Sequence, residues 1–146
     1  MLSNCPVHWV SKLQSQIALS TVESEYLALS QAMRDLLPMI EYLEDLQEHI
    51  DIGYDKNVKL KSTVFEDNNG CITTATSPKM SPRTKHIGVK YHFFKSKIIR
   101  GGDEKEGEDG PVEIEKINTE VQIADIFTKG LSQDKFQALR KLLCGW

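Results

Sequence analysis

Between residues 20 and 50 the apolar positions recur at steps of four and three. Val22, Tyr26, Leu29, Met33, Leu36, Ile40 and Leu43 fall on one stripe of a helical surface. Ser20-Thr21-Val22-Glu23 has the S-x-x-E form of a capping box, which predicts a helix start at that point. Pro38 lies inside the stripe and withholds a backbone donor, so a kink or restart is expected near Arg34–Pro38. The helical pattern runs out near Ile50, and Asp51 to Asn57 reads as a loop around Gly53. Ahead of the helix, Val7 to Ser20 reads as a short β-hairpin or strand pair, with His8-Trp9-Val10 and Ile17-Ala18-Leu19 as the strands.

Val58 to Phe65 alternates apolar and polar residues, which predicts a strand that delivers Glu66-Asp67-Asn68 at its end. A short helix through Cys71, Ile72 and Ala75 should follow, before Ser77-Pro78 and Ser81-Pro82 break the chain. Ile87, Tyr91, Phe94 and Ile98 space a second helical stripe, with Lys85, Lys90, Lys95 and Lys97 around it. Gly101 to Gly110 is an acidic, glycine-rich stretch that reads as a flexible loop. Val112 to Ile117 alternates as a strand. Thr119-Glu120-Val121-Gln122 is another capping box, opening a helix through Ala124 and Phe127, and a last helix carries Phe136, Leu139, Leu142 and Leu143. The order of strands, long helix, strand, helices, strand and helix implies an α/β layer sandwich with a mixed sheet.

The 146 residues suffice for one domain with a hydrophobic core, read here as spanning 1–146. No run approaches the roughly 18 apolar residues that a membrane span needs, so no membrane partner is expected. Cys5, Cys71 and Cys144 are an odd count with no paired spacing, which fits buried or idle thiols in a reducing compartment. His86 and His92 have no CxxC partner, which removes a zinc motif. The net charge of −3 is unevenly distributed. Residues 1–50 hold two basic and seven acidic side chains, whereas residues 68–102 hold seven Lys/Arg, two His and no acid. A basic surface on an acidic body is the footprint of phosphate contact, or else a solvated lysine-rich face.

Glu25, Asp67 and Asp125 stand where the predicted elements bring carboxylates among apolar neighbours. Glu25 lies in the first turns of the long helix, Asp67 at a strand tip, and Asp125 in a helix start between Ala124 and Ile126. An ionised acid in such surroundings needs a pairing charge or a cation. Converging carboxylates are the hard oxygen ligands that Mg²⁺ prefers, and two such ions can activate water for phosphodiester hydrolysis. Taken singly, each acid also has an ordinary explanation. Glu25 can be a solvated helix residue, Asp125 a favourable charge at a helix N-terminus, and Asp67-Asn68 a turn or N-cap.

Four stretches carry a resemblance. Residues 11–29 (SKLQSQIALSTVESEYLAL), 66–73 (EDNNGCIT), 82–99 (PRTKHIGVKYHFFKSKII) and 119–131 (TEVQIADIFTKGL) resemble, in order, segments of the RNase H-like domain downstream of the reverse transcriptase in copia-type LTR retrotransposon polyproteins. The resemblance implies an RNase H-like three-layer fold and Mg²⁺-dependent hydrolysis of RNA in RNA–DNA hybrids, with two ions. It makes Glu25, Asp67 and Asp125 the catalytic and metal-binding acids. Lys79, Arg83, Lys85, His86 and Lys90 become the nucleic-acid contacts, reading a hybrid by its backbone geometry. The parent reverse transcriptase is the implied protein partner, and the setting is intracellular, cytoplasmic or nuclear.

Two departures from the family pattern accompany it. No Asp precedes Asp35, so the chain is expected to be N-terminally truncated, lacking the first strand and its catalytic Asp. No His lies between Gly101 and Asp125, where many such enzymes keep one. Cleavage is therefore expected to be impaired. The alternative is a non-catalytic remnant that binds hybrid or packs against a reverse transcriptase.

Overall fold

The computed structural model describes residues 6–49, 60–78, 85–99 and 110–145. The loops expected at 51–57 and 101–109, the start of the strand at Val58, and Lys79, Arg83 and Ser81-Pro82 lie outside those residues. The chain is α/β and divides into two compact units, Ile17–Lys116 and a second made of Met1–Gln16 with Ile117–Trp146.

The first unit is organised by helix α1, Thr21–His49. Its start follows the predicted cap, since Ser20 Oγ accepts the Glu23 N–H at 3.2 Å. Glu23 reaches back one residue further than the usual box, its Oε2 accepting the Leu19 N–H at 2.8 Å. Of the predicted stripe, Tyr26, Leu29, Met33 and Ile40 are buried. Pro38 neither ends nor restarts the helix. It is exposed, so water can take the carbonyl that its missing N–H leaves behind.

Strand β1, Ser62–Glu66, pairs in parallel with β2, Val112–Lys116, running from Ser62 opposite Val112 to Glu66 opposite Lys116. Ile98 bridges Val112 from outside the named strands, also in parallel, and the Ile99 N–H donates to the Val112 carbonyl at 2.7 Å. Helix α2, Asn69–Thr76, follows β1 directly. It approaches α1 closely at Gly70, where a Cβ would lie 2.6 Å from Val22 Cγ2. Tyr26, Met33, Cys71, Ala75, Phe94, Ile98 and Val112 form the centre of one core.

Three expectations are corrected. Residues 7–20 form no strand. Their large apolar side chains are exposed, with Leu13 at 92% and Ile17 at 91%, so the alternating pattern has no face to bury. The stripe from Ile87 to Ile98 is carried by two 3₁₀ turns, Val89–Tyr91 and Phe93–Lys97, instead of an α-helix. Ile87, Phe94 and Ile98 still point inward, because i, i+3 and i, i+4 spacing suits either backbone. The segment after β2 likewise forms 3₁₀ turns, Thr119–Val121 and Ile123–Phe127. Asn118, not Thr119, caps the first of them, its side chain accepting the Glu120 N–H at 3.0 Å. Helix α3, Gln133–Cys144, completes the second unit and buries Leu139.

Candidate functional site

The chain turns sharply between β1 and α2, and that turn sets out the acids. Asn68 caps α2, its Oδ1 accepting the Gly70 and Cys71 N–H groups at 2.9 and 3.2 Å. Its own N–H donates to Glu66 Oε1 at 3.0 Å. The cap thereby fixes Glu66 and Asp67 beside the first turn of α2, over the fully buried Cys71. Burial pushes the Cys71 thiol well above its ordinary range, and the charges of Glu66, Glu25 and Asp67 push it further. Glu25 on α1 and Asp67 beyond β1 thus bear on one atom, although 41 positions separate them. Both are half-buried.

Glu66 is a member of this cluster that the motif reading passed over. It is buried, it accepts a hydrogen bond from the Cys71 thiol, and burial holds its carboxyl above the usual carboxylate range. The Asn68 N–H and the Cys71 thiol pull the other way. Strand parity contained the signal. Ser62, Val64 and Glu66 share the less exposed face of β1, so the residue beside Asp67 was bound to turn inward.

Asp125 belongs to the second unit. It is buried at 4% exposure, and its Oδ1 lies 2.7 Å from Lys129 Nζ. Its Oδ2 lies 3.5 Å from Lys135 Nζ. Lys135 also donates to the Thr119 carbonyl at 3.1 Å and approaches Glu120 at 3.8 Å. The apolar setting read from the sequence is present, and lysines supply the compensating charge. Among the described residues, no group of three or more His, Cys, Asp or Glu side chains is arranged to hold a metal ion.

Of the nucleic-acid contacts implied by resemblance, Lys85, His86 and Lys90 are described, and all three are exposed. His86 is tied to the start of α1, its Nε2 lying 3.1 Å from Glu23 Oε2. The Leu19 N–H and then His86 hold the Glu23 carboxyl below its usual range. Lys90 Nζ sits 5.0 Å from the Tyr91 ring centroid. Beneath this surface, Tyr26 Oη lies 2.7 Å from His92 Nδ1. Burial, with Lys95 nearby, lowers the pKa of His92, and burial raises that of Tyr26. Both shifts favour a neutral imidazole whose Nδ1 accepts a hydrogen bond from the phenol O–H.

This pair gives a pH prediction. A histidine whose folded pKa is depressed contributes stability that is present above its unfolded value, ordinarily 6.5, and lost as pH falls through the folded value. The thermal midpoint is therefore expected to drop as pH is lowered from 7 towards 5. In His92→Gln the drop over that window should be shallower. An equal slope in parent and variant would remove His92 as its source.

No protein-family profile matches the chain, and no solved structure matches it. Among the curated proteins to which it is similar are retrovirus-related Pol polyproteins of plant transposons. With that of transposon TNT 1-94 from Nicotiana tabacum it shares 28% identity over 137 residues, 94% of this chain and 9% of the relative. With those of transposons RE1 and RE2 from Arabidopsis thaliana it shares 25% and 26% identity, over 93% of this chain and 8% of each relative. The chain thus spans less than a tenth of the length of the curated relatives it matches. Along nearly its whole length it is similar to one stretch of the Pol polyproteins of plant transposons, which supports reading it as a region of a transposon-type polyprotein.

Proposed function

We propose that this chain is the RNase H-like region of a copia-type retrotransposon polyprotein and acts on RNA–DNA hybrids beside its reverse transcriptase. What supports the reading is the similarity to one stretch of the Pol polyproteins along nearly the whole chain, together with the charges of Glu25 and Asp67, from separate elements, both acting on the buried Cys71 thiol. Mg²⁺ is commonly held by one or two carboxylates, completed by waters and substrate phosphates. Glu25 and Asp67 have that donor chemistry and would hold the ion. Bound there, Mg²⁺ would lower the pKa of a water and offset charge on the scissile phosphate. Lys85 and Lys90, exposed on the same unit, supply cations for the hybrid backbone.

By resemblance Asp125 would also be a catalytic acid, but within its own unit its ion pairs with Lys129 and Lys135 favour a second reading. A carboxylate already neutralised at 2.7 and 3.5 Å has less to offer a cation. In that case the region binds hybrid without cutting it.

Both readings meet in one assay, incubation of the chain with a labelled RNA–DNA hybrid with and without Mg²⁺. Under the first, cleavage requires Mg²⁺ and falls at least about a hundredfold in Asp67→Asn and Glu25→Gln. Under the second, hybrid is retained uncut, and retention weakens as salt rises. Cleavage that survives Asp67→Asn would refute the assignment of Asp67.

A further inference from the structure

The two 3₁₀ turns carry an aromatic surface of which the hybrid reading uses Lys90 but not the rings. Tyr91 is half-buried, Phe93 is 41% exposed, and Val89 beside them is 81% exposed. Phe93 is braced from behind by the fully buried Phe94, ring centroids 5.8 Å apart at 82°. The Arg34 guanidinium, exposed on α1, lies 5.6 Å from the Phe93 ring and 6.0 Å from the Tyr91 ring. The exposed Lys90 lies on the Tyr91 ring as well. Two aromatic rings, a guanidinium and a lysine therefore lie together, and Lys90, Tyr91 and Phe93 belong to a stretch of sequence without an acid from residue 68 to 102.

That combination has a specific use. Aromatic rings and guanidinium planes stack unpaired nucleobases with little regard to sequence, while neighbouring lysines follow the phosphates. Paired bases in a duplex or hybrid offer no free faces to such rings. We infer that Arg34, Tyr91 and Phe93 form a stacking platform for single-stranded nucleic acid, with Lys90 on its backbone. The occupant follows from charge and ring chemistry together. A purely apolar partner would gain nothing from the cations, and a purely electrostatic one nothing from the exposed rings.

The inference does not rest on cleavage of hybrids, so the two can fail separately. The test is fluorescence anisotropy of the whole chain with a labelled oligothymidine and with an abasic oligonucleotide of equal length and charge. The base-bearing strand should bind more tightly. Phe93→Ala and, as a second variant that leaves the core untouched, Arg34→Gln should each reduce that preference about tenfold. Lys90→Ala should weaken both strands alike and make the salt dependence shallower. Equal affinity for the two strands in the parent protein would overturn the platform. So would an unchanged preference in both variants. No binding of either strand would also overturn it and leave the face to a protein partner.

Discussion

Replacing Phe94 by alanine is expected to destabilise the Ile17–Lys116 unit by about 3–5 kcal/mol, the usual range for emptying a buried phenylalanine site. Phe94 has no exposed surface and sits where the elements of that unit meet. Its ring lies 5.5 Å from that of Tyr26 on α1, and its neighbours in the core include Ile98 and Val112 beside the sheet. The 3₁₀ turn that presents it has few internal hydrogen bonds of its own, so burial of this ring, not backbone propensity, holds the turn in place. Domains of this size are stable by roughly 5–15 kcal/mol in total. The loss should therefore appear as a thermal midpoint lower by more than about 10 °C. Phe94→Leu keeps most of the volume and should cost less than about 1.5 kcal/mol. A Phe94→Ala chain within about 1 kcal/mol of the parent in urea titration would show that the core does not depend on this ring. Glu25 adjoins Tyr26 on α1, so loosening this contact would also loosen the seat of one candidate acid.

What the sequence made legible follows from where burial is one-sided. The α1 stripe was readable because one face of a long amphipathic helix is covered along much of its length, and the apolar spacing records that directly. The turn into α2 was readable because Asp67-Asn68 at a strand end is a strong local signal, and Asn68 does cap the helix. The segment from Ile87 to Ile98 was legible in its inward residues but not in its backbone, since consecutive 3₁₀ turns and an α-helix share the spacing that brings Ile87, Phe94 and Ile98 inside. The failed hairpin at 7–20 has the opposite cause. Alternation predicts a strand only when a partner strand and a covered face exist, and in the described structure Val7, Trp9, Leu13 and Ile17 stay exposed. Among the candidate acids, Glu25 and Asp67 were singled out from the predicted elements and given their roles by resemblance. Glu66 was available from strand parity, which places it with Val64 on the inward side. The Asp125–Lys129 pair was visible as an i, i+4 spacing. Lys135 was not, because its approach to Asp125 depends on how α3 follows the preceding 3₁₀ turn.

That pairing leads to the second large effect. Lys129→Met with Lys135→Met should destabilise the unit containing α3 by about 3–5 kcal/mol, because it leaves the buried Asp125 carboxylate without a compensating charge. Asp125→Asn should cost less. The Lys129 side chain is 48% exposed and that of Lys135 20%, so each ammonium can turn to water once its partner is gone. Adding Asp125→Asn to the lysine double variant should then recover much of its loss, the non-additivity expected of groups that share one network. Hydrogen exchange at the α3 amides reads these differences within the unit itself. The same variants separate an ion-paired Asp125 from a metal-binding one. If the lysines are its only partners, Mg²⁺ leaves exchange in the double variant unchanged. If the carboxylate takes a cation once the lysines are removed, Mg²⁺ slows exchange there and has no effect after Asp125→Asn. A lysine double variant that exchanges like the parent without Mg²⁺ would show that the ion pairs do not stabilise this unit. The ion-pair argument against Asp125 as a cation ligand would fall with them.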